Sequence, residues 1–317
     1  MIQFNSQNTF KEIHYNSHDI KYVYGGCSGD LVWEKGTPPP PVFDGKFKLT
    51  LNDSSTVSAE CGTSSAITIN EVSIQYSGSV VSAVIGDCVT SIGNMAFQNC
   101  SSLTSCTIGS AVTSIGNYAF WGCTALTSID IPSGITSMST AVFYQCTSLT
   151  SIVIPDSVTS IGDSAFYQCT SLTSVTIPDS VRSIGIYAFA KCFSLTSVNI
   201  PSGVTSMSTA VFYQCTSLTS IVIPDSVTSI GDSAFYQCSS LTSCTIGSGV
   251  TSIDSYALTN CSSLSSITCE ATTPPTLGTF AFFNTNDCPI YVPAESVNAY
   301  KTASGWSTYT SRIQPIT

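Results

Sequence analysis

Basic residues are scarce: 9 Lys and Arg against 19 Asp and Glu leave a net charge of −10 over 317 residues. None occurs between Lys48 and Arg182. Nucleic acids and anionic membranes both need clustered cations, so neither is expected as a partner. Histidine is rarer still, with only His14 and His18. As a zinc pair these two lack further ligands, and beyond them no imidazole exists to activate a serine or cysteine. No apolar run approaches membrane-spanning length, so no membrane insertion is expected. The amino terminus has no basic segment followed by an apolar one, and thus no visible secretory signal. Charged residues make up only 9% of the chain, which leaves Ser and Thr to fill a neutral, hydroxyl-rich surface.

What the chain has in abundance is repetition. Cys100, Cys123, Cys146, Cys169, Cys192, Cys215, Cys238 and Cys261 recur every 23 residues, and a leucine follows three places after each, from Leu103 to Leu264. A period of this size marks a solenoid. Within one unit, Leu172, Val175 and Ile177 read as a short strand, with Ser174 and Thr176 on its other face. Pro178-Asp179-Ser180 turns the chain, because proline fixes φ and offers no ladder donor. Val181, Ile184, Ala188 and Phe189 form the next inward set, with Gly185 supplying a bend. The Ile184 position holds Ile or Met in the other copies, and the Phe189 position holds Phe or, at 258, Leu. Coils stacked about 4.8 Å apart would bury these groups as columns.

The 15 cysteines could suggest a disulfide framework. Their phasing at one core position, with Cys106 and Cys244 at the Val175 position, favours a ladder of reduced thiols packed as small hydrophobes. Stacked neighbours are close enough to bridge, yet repeated in-register bridges would suit disulfide geometry poorly. No Cys-x-x-Cys metal pair occurs.

These features predict a β-rich repeat protein in five parts. Residues 1–36 form a small β-hairpin module, 37–42 a proline-rich linker and 43–79 a β cap. Residues 80–269 form the solenoid, and 270–317 a carboxy-terminal cap with a short helix. In that cap Ile290-Tyr291-Val292-Pro293 reads as the final strand, Val297 and Tyr300 share a helical face, and Trp306, Tyr309 and Ile313 fold back onto the last coil.

The string from Ile154 to Ser174, Ile-Pro-Asp-Ser-Val-Thr-Ser-Ile-Gly-x-x-Ala-Phe-x-x-Cys-x-Ser-Leu-Thr-Ser, resembles the BspA-like (Treponema pallidum-type) leucine-rich repeat family. The resemblance runs from about Val80 to Val292. It implies a right-handed solenoid used for adhesion or recognition, usually outside the cell, without catalysis and without a cofactor. In the first module, Tyr24-x-Gly26-x-x-x-x-Leu31-Val32-Trp33-Glu34 is similar to short hairpin modules of phage tail-associated proteins. That similarity and the missing signal point to a virion surface, with residues 1–36 docking on other virion proteins. A bacterial cell-surface or secreted protein is the alternative.

The residue after each repeat's Phe is Gln98, Trp121, Tyr144, Tyr167, Ala190, Tyr213, Tyr236 or Thr259. Stacked, Trp121, Tyr144, Tyr167, Tyr213 and Tyr236 would form an aromatic row beside Gln145, Gln168, Gln214 and Gln237. Amphipathic rings beside neutral amides suit a host surface glycan or protein, although they also suit plain packing over the coil corner. A second candidate face carries Asp130, Val153, Thr176, Asn199 and Val222 on the strands. Asp156, Asp163 and Asp179 could share a cation or act as an acid–base pair, but with no third carboxylate each is better read as capping its own turn, as Asp225 does. No catalytic residue and no metal site is expected. Thr136–Cys169 is identical to Thr205–Cys238, so surface chemistry repeats along the array, as a multivalent surface requires. The expected function is non-enzymatic recognition or adhesion, and the alternative is a structural spacer or decoration subunit.

Overall fold

The structure, a computed structural model, describes residues 13–16, 19–24, 31–33, 47–52, 54, 56–59, 67–69, 78–87 and 89–316. The proline-rich stretch 37–42, His18 and the side chain of His14 lie outside the described residues. The fold is the β-solenoid that the period predicts, with about ten turns of about 23 residues and a short carboxy-terminal helix. The chain divides into two compact units, Met1–Ser157 and Val158–Thr317. Among the described residues no helix is long and apolar enough to cross a membrane.

In the first unit, Ile13–Asn16, Asp19–Tyr24 and Leu31–Trp33 form a three-stranded antiparallel sheet. A second antiparallel hairpin, Phe47–Leu51 with Thr56–Ala59, lies along the first solenoid strand, Val80–Ile85. That strand pairs in parallel with Ser105–Ile108, so the hairpin covers an edge that would otherwise be open. Leu49 of the hairpin is fully buried.

The second unit carries two parallel ladders in strict register. Ser220–Ile223, Ser243–Ile246, Ser266–Cys269, Ile290–Val292 and Ile313–Pro315 form one sheet. Ser206–Met207, Ser229–Ile230, Ser252–Ile253 and Thr276–Leu277 form the other. Each residue pairs with its own equivalent one repeat on, as Ser220 does with Ser243 and Ile221 with Cys244. Side chains alternate across these strands, so Ile221 and Ile223 are buried while Ser220 and Val222 are exposed.

The core is a set of columns. Phe166, Phe189, Phe212 and Phe235 stack with successive centroids 5.1, 5.5 and 5.6 Å apart. Phe97, Phe120 and Phe143 do the same in the first unit. The phased cysteines and leucines are 0% exposed. All described cysteines are free thiols and buried, Cys106 and Cys244 included.

At the corner beside the Phe column the backbone does something the sequence does not announce. Two residues per coil take positive φ, the one before the Ala-Phe pair and the one before Cys; Tyr187 (57°), Lys191 (59°), Gln214 (58°) and Gln237 (57°) are examples. Alternating handedness turns every second amide toward the following coil. Tyr187, Phe189 and Lys191 donate to the carbonyls of Thr209, Val211 and Tyr213 at 3.1, 3.0 and 2.7 Å. Beside the strands some bonds run the other way, Gly231 donating back to Met207 and Thr242 back to Thr219, both at 2.8 Å, while Ile267 and Ile290 in the strands donate forward to Pro289 and Arg312 at 3.0 and 2.8 Å. This third ladder satisfies the corner backbone, which would otherwise be buried without partners.

Gly185 stands where the coil turns after Ile184. It carries no positive φ; a Cβ there would lie 2.5 Å from the Asp163 nitrogen, so glycine permits close approach between coils. The carboxy-terminal cap also holds one more strand than expected, because Ile313–Pro315 follows Ile290–Val292 and pairs with it in parallel. Tyr300 of the helix Val297–Thr302 is fully buried and its hydroxyl donates to Ala271 O at 2.7 Å. Trp306 is buried as well, donating from Nε1 to Pro275 O at 2.7 Å and packing on Phe282.

Candidate binding surface

The residue after each Phe is placed by the left-handed turn that precedes it. That turn sends Phe inward and leaves the next side chain lying across the corner, half in water. Trp121, Tyr144, Tyr167, Tyr213 and Tyr236 are all half-buried there, as are Gln145, Gln168, Gln214 and Gln237. In the first unit Trp121 meets Tyr144 edge-on at 5.6 Å, Tyr118 lies 5.7 Å from Trp121, and Trp121 Nε1 donates to Gln145 Oε1 at 3.3 Å. In the second unit Tyr213 and Tyr236 stack at 5.1 Å with an interplanar angle of 5°, and Gln214 Nε2 donates to Gln237 Oε1 at 2.5 Å. Each unit therefore holds a short run of ordered rings with amides beside them.

Around Tyr167 the pattern changes. Tyr187 packs against it edge-on at 6.3 Å, and Lys191 Nζ lies 5.5 Å above its ring. Sequence reasoning passed over Tyr118, Tyr187 and Lys191, since they stand outside the column that follows Phe. A second aromatic group, Tyr256, Phe280 and Phe283, is 39%, 51% and 55% exposed near the end of the array, with centroids 5.8 and 5.6 Å apart.

The strand face is open where it was expected to be. In the first unit Asp130 is exposed and Val153 is 73% exposed; in the second Thr176 and Asn199 are exposed and Val222 is 63% exposed. Beside it the threonine hydroxyls are spent on the coil below: Thr219 donates to Thr196 O at 3.2 Å and Thr242 to Thr219 O at 2.9 Å. Their lone pairs remain to accept from a ligand.

The carboxylates serve the stack. Asp163 Oδ1 accepts from the Ile186 amide at 2.8 Å. Asp225 Oδ1 accepts from both the amide and hydroxyl of Ser248, at 2.7 and 2.9 Å, and the Ser248 amide holds its carboxyl below the usual range. The expectation that Asp225 caps its own turn is corrected: its partner is one repeat onward, because the next turn brings a free amide within reach. Asp156 and Asp179 are exposed, and the Asp179 carbonyl accepts from Arg182 Nη1 at 2.6 Å. Among the described residues no group of three or more His, Cys, Asp or Glu could hold a metal ion. The thiols are poor nucleophiles, since burial pushes Cys100, Cys192 and Cys261 up to about 12 and Cys215 and Cys238 well above the ordinary value.

The family model described as BspA type leucine rich repeat region (6 copies) matches residues 67–195 and 182–303. A solved T. pallidum leucine-rich repeat protein is 32% identical, with 56% of this chain and 83% of that one covered and a TM-score of 0.50. A leucine-rich repeat protein from Bacteroides ovatus is 24% identical, with 87% and 76% covered and a TM-score of 0.56, a likeness of fold. A leucine rich cell surface protein from Faecalibacterium prausnitzii is 27% identical over 85% and 99% of the two chains, at a TM-score of 0.36. No curated protein matches the chain. Such repeats are generally non-catalytic and serve binding. With most of its length inside the matched repeats, the chain belongs to the BspA-type leucine-rich repeat family.

Proposed function

We propose that this chain is a non-catalytic recognition protein of a bacterial surface that binds a host glycan or protein through its corner aromatics. The observation that carries the reading is the pairing of Tyr213 and Tyr236, parallel at 5.1 Å and flanked by the Gln214–Gln237 amide pair on half-exposed, left-handed backbone. Rigid phenol rings lose little entropy on binding, and amides supply both donors and acceptors for hydroxyl-rich partners. The virion placement finds no support in the relatives above and is not part of this reading.

A second surface has its own observation in its favour. Val153 and Val222 stand 73% and 63% exposed on the strand face, more than any packing role requires. The test is whole-cell pull-down and glycan-array binding with alanine at Trp121, Tyr144, Tyr167, Tyr213 and Tyr236. Loss of binding with an unchanged melting temperature supports the corner. Retained binding that is abolished by Val153→Ser and Val222→Ser moves the site to the strands. Binding that survives both sets, or is absent in the parent, leaves a structural spacer.

A further inference from the structure

Between Lys48 and Lys301 the chain has two basic residues, Arg182 and Lys191, and both lie in one coil. That coil departs from its neighbours at five positions outside the shared core columns, of which Ala190 is buried and the Tyr187 position is also tyrosine at 118 and 256. Ile186 stands where Asp163 and Asp232 do, and Tyr187 where Ser164 and Ser233 do. Ala190 replaces Tyr167, Tyr213 and Tyr236, Lys191 replaces Gln168, Gln214 and Gln237, and Phe193 replaces Thr170 and Thr216. Its inward residues are unchanged in kind: Ala188, Phe189, Cys192 and Leu195 are all 0% exposed.

The departures gain nothing for the stack, because they leave Ile186, Tyr187 and Phe193 at 43%, 41% and 39% exposed. They gather a cation, two perpendicular phenol rings and apolar area at one place. Lys191 lies 5.5 Å over the Tyr167 ring, and Tyr187 closes that ring's edge at 6.3 Å. The nearby carboxylate of Asp163 is held by the Ile186 amide. Arg182 donates by Nη1 to the carbonyls of Asp179 and Val181 in the same coil, adding to its positive field.

We propose that this coil sets the specificity of the surface, selecting an acidic glycan that carries a carboxylate. The inference rests on the corner-binding reading above. A Gln at this position hydrogen-bonds sugars of either charge; Lys adds discrimination by sign, in a chain that otherwise repels anions through its net charge of −10. A pyranose face packs on Tyr167 or Tyr187, its hydroxyls reach the amides of Gln168 and Gln214, and its carboxylate meets Nζ of Lys191.

The test uses the full chain and two paired probes, sialyllactose and neutral lactose, with polyglutamate as an acidic peptide control. Each variant takes a residue that neighbouring coils already carry on the same backbone: Lys191→Gln, Tyr187→Ser and Phe193→Thr. The parent is expected to prefer sialyllactose, with the preference shrinking as salt rises. Lys191→Gln should weaken sialyllactose about threefold, the scale of an exposed ion pair, and leave lactose unchanged. Lys191→Arg should restore the preference. Tyr187→Ser and Phe193→Thr should weaken both sugars together. Equal binding of the two sugars by the parent, or a preference indifferent to Lys191→Gln, overturns this inference while leaving the corner reading standing. Retention of polyglutamate without sialyllactose overturns the assignment to a glycan. Failure to retain either sugar or whole cells overturns both readings.

Discussion

The thiol of Cys215 donates to the carbonyl oxygen of Phe189 at 3.2 Å, and the same oxygen accepts the backbone amide of Cys192 at 3.3 Å. Cysteine therefore joins two coils while filling the volume of a small hydrophobe. Cys215→Ala removes both the sulfur's packing and its weak hydrogen bond, and should cost roughly 1–2 kcal/mol in chemical denaturation. Cys215→Ser should cost at least as much, since a more polar group is buried with a shorter arm. Equal stability of parent and Cys215→Ala would remove the thiol from the account of the core.

Alkali should unfold the protein through these same thiols. Cys100, Cys192 and Cys261 are raised by burial from the ordinary 9.0 to about 12. A group raised on folding protects the fold fully below its unfolded pKa, and the protection drains away as pH climbs toward the folded one. Between pH 9 and 12 each such thiol should lower stability by about 1.4 kcal/mol per pH unit. Denaturant midpoints measured across that range test the slope, and Cys192→Ala should flatten it by one thiol's share.

Gln237 occupies left-handed backbone at φ 57°. A β-branched side chain suffers most there, so Gln237→Val should cost roughly 1–2 kcal/mol. Gln237→Gly should be near neutral, as relief of the backbone offsets loss of the amide pair with Gln214. Thermal melts of the two variants distinguish strain from side-chain chemistry.

A double-mutant cycle on Tyr213 and Tyr236 should return a coupling of roughly 0.5–1.5 kcal/mol, the range for stacked rings. This value is measured without a ligand. A coupling near zero would mean that the rings stand apart in solution and that no ordered platform exists.

Arg312 is buried in the carboxy-terminal cap. Its Nε donates to Cys288 O at 2.7 Å and its Nη2 to Thr285 Oγ1 at 2.9 Å. Arg312→Met keeps the stem but strands both acceptors, and should cost about 1–3 kcal/mol. Limited proteolysis should then open the chain first near its carboxy-terminal end.

The columns were legible because each core residue recurs at a fixed spacing and packs on its own copy; Phe189, Cys192 and Leu195 needed only counting. The corner was not legible. Tyr187 and Ala210 have no intrinsic leaning to positive φ, and hydrogen bonds to the following coil hold them there. The same cause hid the partner of Asp225, which takes an amide from the next coil. Ile313–Pro315 escaped as a strand because two exposed residues, one of them a proline, conceal its single buried isoleucine. Lys191 could have been found earlier by asking which coil breaks the pattern outside while keeping it inside.

The coil-to-coil bonds of the corner and of the strands have a consequence for how such a chain can change over time. Every coil offers the same donors upward at one place and the same acceptors at another, so a whole coil spliced in or cut out leaves no amide stranded. A partial coil would break both bond systems at once. The identical stretches Thr136–Cys169 and Thr205–Cys238 start 69 residues apart, three whole coils, as this rule requires. A gene built on this plan can trade span for economy in steps of one coil, carrying its contact chemistry along intact.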